Sequence, residues 1–252
     1  MSNLCARPFL SIADSELGLL LQKAFVDLSK KVPYALYLVE LVSAVRKSMR
    51  QFSPKTFADA HEFLQELLNA VSCNSCNIPL KISTHCSKCR VSRIEDEILF
   101  GVQVSVPEGN SPIKVKEGIL QIFDECVIDD WKCPSCLNVG VGSRSSTTVS
   151  FPGLLIVHIK RFSWRSGSLV KLSNNIDCPS IPLDLSVLQN SLEYDLIATI
   201  NHHGSVSSGH YSANVNIEGQ WFVCDDRKTS ITRREIVVSP DSYILFFQSS
   251  SV

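Results

Sequence analysis

Two Cys-x-x-Cys pairs, Cys86-Ser-Lys-Cys89 and Cys133-Pro-Ser-Cys136, constrain this chain more than any other feature. Each such turn presents two thiolates to one ion, and two turns complete a tetrahedral Cys₄ site. Residues 90–132 separate the pairs, a wider gap than in the usual zinc ribbon. A shared ion must therefore pin two long hairpins together, and a structural zinc on Cys86, Cys89, Cys133 and Cys136 is expected. The N-terminus lacks the basic segment and apolar core of a signal peptide. Without secretion, paired cysteines read as metal ligands before disulfides, which implies a cytosolic or nuclear setting. Cys73-Asn-Ser-Cys76 is a third pair with no fourth to complete a site, so it reads as reduced and non-ligating. His85 stands next to Cys86 and competes as a ligand, but the Cys₄ set is complete without it.

The first 72 residues carry helical periodicity. Leu17, Leu20, Leu21, Ala24, Phe25 and Leu28 recur at helical spacing between Asp14 and Ser29. A second helix is predicted from about Tyr34 to Arg50, with Pro33 suited to its first turn. A third is predicted from about Phe57 to Val71, with Thr56 as N-cap and a stripe of Ala60, Phe63, Leu64, Leu67, Leu68 and Val71. His61 falls on its polar side and reads as structural or exposed. After residue 73 the chain turns to β-formers and turn residues. Residues 143–149 are Ser/Thr-rich and read as a strand end or loop, whereas Leu154 to Ile159 reads as a central strand buried on both faces. His158 within it reads as a core histidine. A hydrophobic fraction of 44% suffices for a large core, and a net charge of −1 gives no bulk attraction to nucleic acid or anionic membrane. No apolar run approaches the roughly 18 residues a membrane span needs.

Near the C-terminus, Gly209-His-Tyr211 and the β-forming run to Ile217 meet Trp221 to Asp226 across Glu218-Gly219-Gln220, which reads as a hairpin. A two-residue turn at Glu218-Gly219 pairs Ile217 with Gln220 and sets Asp225 opposite Ser212. His210 is then its diagonal neighbour on the same face, roughly 7–8 Å away at Cβ. A three-residue turn would put the two on opposite faces. A carboxylate that holds a histidine in one tautomer is two-thirds of a catalytic triad.

Five ordered stretches over roughly residues 55–248 resemble the ubiquitin-specific proteases, papain-like deubiquitinating enzymes. Asp59-Ala-His-Glu-Phe-Leu64 resembles the family's Gln-Gln-Asp-Ala-His-Glu-Phe-Leu signature, with Phe57 and Ala58 in place of the glutamines. The two cysteine knuckles match its zinc-bearing fingers pair for pair. Phe151-Pro-Gly-Leu through Lys160-Arg-Phe162 resembles its Leu-Lys-Arg-Phe strand, and residues 171–186 resemble the segment that follows. Tyr194 to Gly204, Gly209-His-Tyr211, Trp221, Asp225-Asp226 and Tyr243 to Phe247 resemble its C-terminal box. The resemblance implies an α+β, papain-like cysteine protease fold. Its parts would be a helical thumb over 1–72, zinc-bearing β fingers over 73–150 and a β palm over 151–252. It implies a deubiquitinating thiol hydrolase that cleaves ubiquitin C-terminal isopeptide bonds, with ubiquitin and ubiquitinated proteins as partners. His210 is the implied general base and Asp225 the residue that orients it.

The family's nucleophile lies in an N-terminal Gly-Asn-Thr-Cys-Tyr-Met-Asn-Ser type box, which nothing in this sequence matches. Cys5 alone has the right chain order, yet Ala6-Arg-Pro8 replaces the expected helix start that lowers a thiol pKa. Cys224 precedes Asp225 on one strand and so points to the other face; Cys178 has no helix start after it. Weak or absent hydrolase activity is therefore the expectation. A catalytically dead ubiquitin- or partner-binding module of the same fold is the alternative. A zinc-ribbon nucleic-acid binder is disfavoured by the near-neutral charge.

Overall fold

A computed structural model describes residues 16–29, 35–52, 58–148, 150–165, 167–177, 182–189 and 192–250. Cys5, Cys178, Pro33, Thr56 and Phe57 lie outside these. The chain forms two compact units, residues 1–76 and 77–252.

The first unit is helical. Helix α1 (Glu16–Ser29) and α2 (Ala35–Ser48) are joined by exposed ion pairs, Lys23 to Glu40 at 3.0 Å and Lys47 to Glu16 at 3.5 Å. Helix α3 (Ala60–Ala70) starts three residues after the predicted Phe57, at the first residue of its apolar stripe. Its N-cap is Asp59, whose carboxylate accepts from the His61 and Glu62 backbone N–H groups at 2.8 and 3.0 Å. That satisfies two of the orphan donors of the first turn. His61 is buried, the structural one of its two readings, and burial pulls its pKa down. Phe63 meets Phe52 edge-on, with ring centroids 5.1 Å apart. After α3, Cys73 and Cys76 are buried and reduced; they share a hydrogen bond that draws Cys73 down to about 6 and, with burial, pushes Cys76 up.

The second unit is built on two sheets. Strands β1 (Asn77–Cys86) and β2 (Ser92–Phe100) form a long hairpin. Strand β3 (Val102–Ser105), β4 (Ile113–Lys114) and helix α4 (Val115–Leu120) follow, then β5 (Cys126–Ile128) and β6 (Gly142–Thr148). The Ser/Thr run is thus a full strand, because β6 pairs with β1 from Cys86–Gly142 to Leu80–Thr148. The smaller sheet has the order β2-β1-β6-β5. Next come β7 (Leu154–Lys160), the hairpin β8 (Phe162–Arg165) and β9 (Ser168–Lys171), and the short β10 (Ile176–Asp177) and β11 (Leu183–Asp184). The chain ends with β12 (Glu193–Gly204), β13 (Gly209–Ile217), β14 (Gln220–Asp225), β15 (Lys228–Thr232) and β16 (Ser242–Ser249).

The larger sheet runs β15-β14-β13-β12-β16-β7-β3, with β11 beside β12. β7 is an interior strand beside the edge strand β3, antiparallel to β16 and parallel to β3, and buried through Leu154–Val157 and again at Ile159. Two-sided burial explains why it reads as a continuous apolar run. Half-buried His158 stacks edge-on against Tyr243 at 4.7 Å. One core joins Ile78, Leu80 and Ile82 of β1 to Val102, Val104, Ile119, Leu155, Val157, Tyr194 and Phe247. It therefore ties the base of the smaller sheet to the larger one. The distal half of the smaller sheet has little such core: Ile94, Val127, Leu137 and Val139 are all exposed.

Candidate functional site

The hairpin register places the first candidate site. Glu218 (φ 51°) and Gly219 (φ 87°) are both left-handed, as a two-residue type I′ turn requires, and Gly219 N–H donates to Asn216 Oδ1 at 2.9 Å. Ile217 pairs with Gln220 and Ala213 with Cys224, which sets Asp225 next along the ladder opposite Ser212. His210 Nε2 reaches Asp225 Oδ1 at 2.5 Å, with both side chains about half exposed. Asp226 lies within the same small group, its ligand-type oxygen no more than 4.8 Å from the other two.

The chemistry follows from which nitrogen is used. With Nε2 donating to Asp225, Nδ1 is the nitrogen left to take a proton from a nucleophile. The hydrogen bond to Asp225, the charge of Asp225 and that of Asp226 raise the His210 pKa above its ordinary value. The protonated form is thus favoured, and its attraction to Asp225 is lost as pH rises through the raised pKa. An NMR titration of the His210 ring should show a midpoint above that of an unperturbed histidine, and Asp225→Asn should lower it. A midpoint indifferent to Asp225→Asn would show that the pair does not form in solution.

Aromatic packing holds the hairpin from beneath. His202 lies 4.9 Å from Tyr211 and 5.3 Å from Phe162, ring centroid to centroid. A Cβ on residue 209 would come within 2.0 Å of His202 Nε2, so only glycine fits before His210. Lys171 Nζ donates to His202 O at 2.5 Å and to Asp241 Oδ1 at 2.8 Å, tying β9 to the same strand.

The second candidate site lies at the tip of the smaller sheet. Cys86, Cys89, Cys133 and Cys136 bring their sulfurs within 4.8 Å of one another. Cys86 Sγ is 3.7 Å from Cys136 Sγ, and Cys89 Sγ is 3.6 Å from Cys133 Sγ. These are too long for disulfides. A tetrahedral ion with metal–sulfur bonds of about 2.3 Å has S···S edges of about 3.8 Å, so four thiolates here can hold a metal ion. Both knuckles have one geometry. Arg90 N–H closes on Cys86 O and Leu137 N–H on Cys133 O, each at 2.9 Å, and Arg90 and Leu137 are both left-handed. Asn138 draws the Cys136 thiol down to about 6 through its side-chain and backbone hydrogen bonds. His85 Nδ1 contacts Ser92 Oγ at 3.1 Å and does not join the four sulfurs.

Every sequence-nominated residue of the two sites is therefore brought to its partners. What sequence reasoning missed is a second histidine system on the hairpin face. His203 Nδ1 lies 3.3 Å from Asp241 Oδ2, and His203 Nε2 lies 2.8 Å from Ser212 Oγ. Nothing in the spacing of residues 203, 212 and 241 announces it. Among the described residues no cysteine joins the group of His210, Asp225 and Asp226.

Known proteins give this geometry its context. Ubiquitin carboxyl-terminal hydrolase 4 of Pongo abelii and ubiquitin carboxyl-terminal hydrolase 15 of Homo sapiens are each 34% identical over 127 residues. That stretch is 48% of this chain and 13% of each relative, so the chain matches only a small part of their length. A solved SAGA DUB module, Ubp8/Sgf11/Sus1/Sgf73 bound to monoubiquitin, superposes with a TM-score of 0.78 at 21% identity, over 95% of this chain and 60% of that one. A yeast SAGA DUB module carrying an Sgf73 mutant gives 0.74 at 20% identity, over 94% and 58%. Identities this low speak to the fold. The family model described as ubiquitin carboxyl-terminal hydrolase matches residues 13–247, nearly the whole sequence, and this chain belongs to that family.

Proposed function

We propose that this chain carries the proton-transfer half of a deubiquitinating thiol hydrolase. The 2.5 Å contact between His210 Nε2 and Asp225 Oδ1 carries the reading, because it fixes the imidazole with Nδ1 available to a thiol. In the reaction a thiolate attacks the carbonyl of ubiquitin's C-terminal glycine. His210, having taken the thiol proton, delivers it to the leaving amine, and Asp225 stabilises the imidazolium between the two transfers. Water then hydrolyses the thioester with His210 as base. Ubiquitin is the proposed partner, as in the monoubiquitin-bound neighbour. Zinc is the proposed ion for Cys86, Cys89, Cys133 and Cys136, where it would brace the fingers without touching the reaction.

One observation favours a second reading, ubiquitin binding without turnover. Cys224, the cysteine next in sequence to the dyad, alternates away from Asp225 on β14, and among the described residues no cysteine joins His210, Asp225 and Asp226. A ubiquitin probe with a C-terminal thiol-reactive warhead separates the two readings when run beside a non-covalent binding assay. Labelling lost in both Cys5→Ala and His210→Ala establishes the hydrolase. Binding without labelling establishes the binding module. Absence of both would sink the proposal.

A further inference from the structure

The His203 system has the connectivity of a second acyl-transfer site. Its members come from three places: the end of β12, the middle of β13 and the turn before β16. Asp241 meets Nδ1 at 3.3 Å and Ser212 Oγ meets Nε2 at 2.8 Å. A carboxylate on Nδ1–H leaves Nε2 as the acceptor, so the Ser212 hydroxyl donates to it. This is the nucleophile–base–orienter order that general-base activation of a hydroxyl needs. The carboxylate is itself anchored, because Lys171 Nζ, with its side chain 8% exposed, donates to Asp241 Oδ1 at 2.8 Å. Partial burial pushes the Asp241 carboxyl up, but Lys171 and His203 outweigh it and hold the carboxyl below the usual range. The nucleophile has an electrophilic neighbour as well. His210 pairs directly across the ladder with His203 and stands two residues before Ser212, so all three project from one face. Asp225 favours the protonated His210 ring, whose Nδ1–H can donate to an oxyanion formed beside it.

We propose that Ser212, His203 and Asp241 form a serine-type acyl-transfer site on the hairpin face, with His210 as oxyanion donor. The acyl donors it fits are small esters or thioesters that can reach a partly exposed strand. The Ser212 oxygen bonds to the acyl carbon while His203 Nε2 takes the hydroxyl proton, and the carbonyl π pair moves onto oxygen. Collapse breaks the bond to the leaving alkoxide or thiolate, which receives the proton from His203. Water, deprotonated by the same nitrogen, then releases the acid and restores Ser212. The site needs no cysteine, so it stands or falls separately from the thiol-hydrolase reading.

The test is labelling of the full chain with a fluorophosphonate, which activated serines attack at phosphorus with loss of fluoride. Mass mapping is expected to place a single adduct on Ser212. His203→Gln should abolish it, and Asp241→Asn should slow it by up to about 10⁴-fold, the scale of loss when a triad aspartate is neutralised. Should either variant fail to fold by circular dichroism, the other supplies the dependence, and wild-type mapping needs neither. An unlabelled wild type, an adduct on another hydroxyl, or labelling indifferent to the folded variant overturns the proposal.

Discussion

Stripping metal from the Cys86, Cys89, Cys133 and Cys136 cluster is expected to unfold the distal half of the smaller sheet while the larger sheet survives. The two halves differ in what holds them. At the base, Ile78, Leu80 and Ile82 are 0–5% exposed and belong to the main core. Toward the tip, Ile94 and Val127 are 67% and 71% exposed, so hydrophobic burial contributes little there. The tip instead closes through Cys86 to Gly142 pairing, the Ser87 N–H to Val141 O hydrogen bond of 2.8 Å and the four sulfurs. Four thiols within 4.8 Å cannot all ionise without a cation between them. Structural zinc contributes an apparent stabilisation of about 10–16 kcal/mol in small zinc domains at neutral pH, far more than a two-hairpin tip can replace. Metal analysis of the purified protein should give about one zinc per chain, the count of a single Cys₄ site. Treatment with a strong chelator, or Cys89→Ser, should release it and remove hydrogen-exchange protection between residues 84 and 144. Protection within β7 and β16 should persist. Metal-free protein with a fully protected tip would end the zinc assignment.

Local chemistry made much of this legible in the sequence. The knuckles were readable because two Cys-x-x-Cys turns supply the four thiolates of one tetrahedral site. The His210–Asp225 pair was readable because Glu218-Gly219 suits a type I′ turn, and turn length sets register. The start of α3 was misplaced because Thr56 reads as an N-cap in sequence, whereas Asp59 takes that role and the helix begins at Ala60, the first residue of the apolar stripe. His61, read as structural or exposed, is buried beside that cap on the first turn, which is the structural alternative. The Asp241–His203–Ser212 contacts were illegible for another reason. Asp241 reaches His203 across a bulged pairing, since the β12–β16 register shifts between Ile200 and Asn201, whereas Ser212 reaches it across the regular β12–β13 ladder. Each bulge moves the following partner by one residue, so no periodicity in the sequence brings residue 241 to residue 203.

Arg161→Met is expected to destabilise the second unit by about 3–5 kcal/mol, although it removes no group proposed to react. Arg161 is fully buried, and its guanidinium is spent entirely on backbone carbonyls. Nε donates to Ser242 O at 2.7 Å, Nη1 to Leu172 O at 2.9 Å and Asn174 O at 3.2 Å, and Nη2 to Ser239 O at 3.4 Å. Burial lowers its pKa to about 10, which still leaves the charge in place at neutral pH. Methionine fills the volume but leaves four acceptors without a charged donor, at about 1–3 kcal/mol each before water and relaxation recover part of it. A loss of that size should lower the thermal midpoint by about 10 °C in a unit of this length. Arg161→Lys should recover less than half, since three donors on one nitrogen cannot span carbonyls that a planar fork reaches. The consequence extends to the hairpin face. Leu172 is next to Lys171, and Ser239 and Ser242 flank Asp241, so the guanidinium ties together the two segments whose Lys171–Asp241 contact anchors His202 and His203. The His203 ring should therefore lose its fixed environment in Arg161→Met at temperatures where the fold persists, visible as broadening of its NMR signal before global melting. An Arg161→Met protein within about 1 kcal/mol of wild type by urea denaturation would show that water replaces the fork, and that the segments around Asp241 are positioned by the β12–β16 ladder alone.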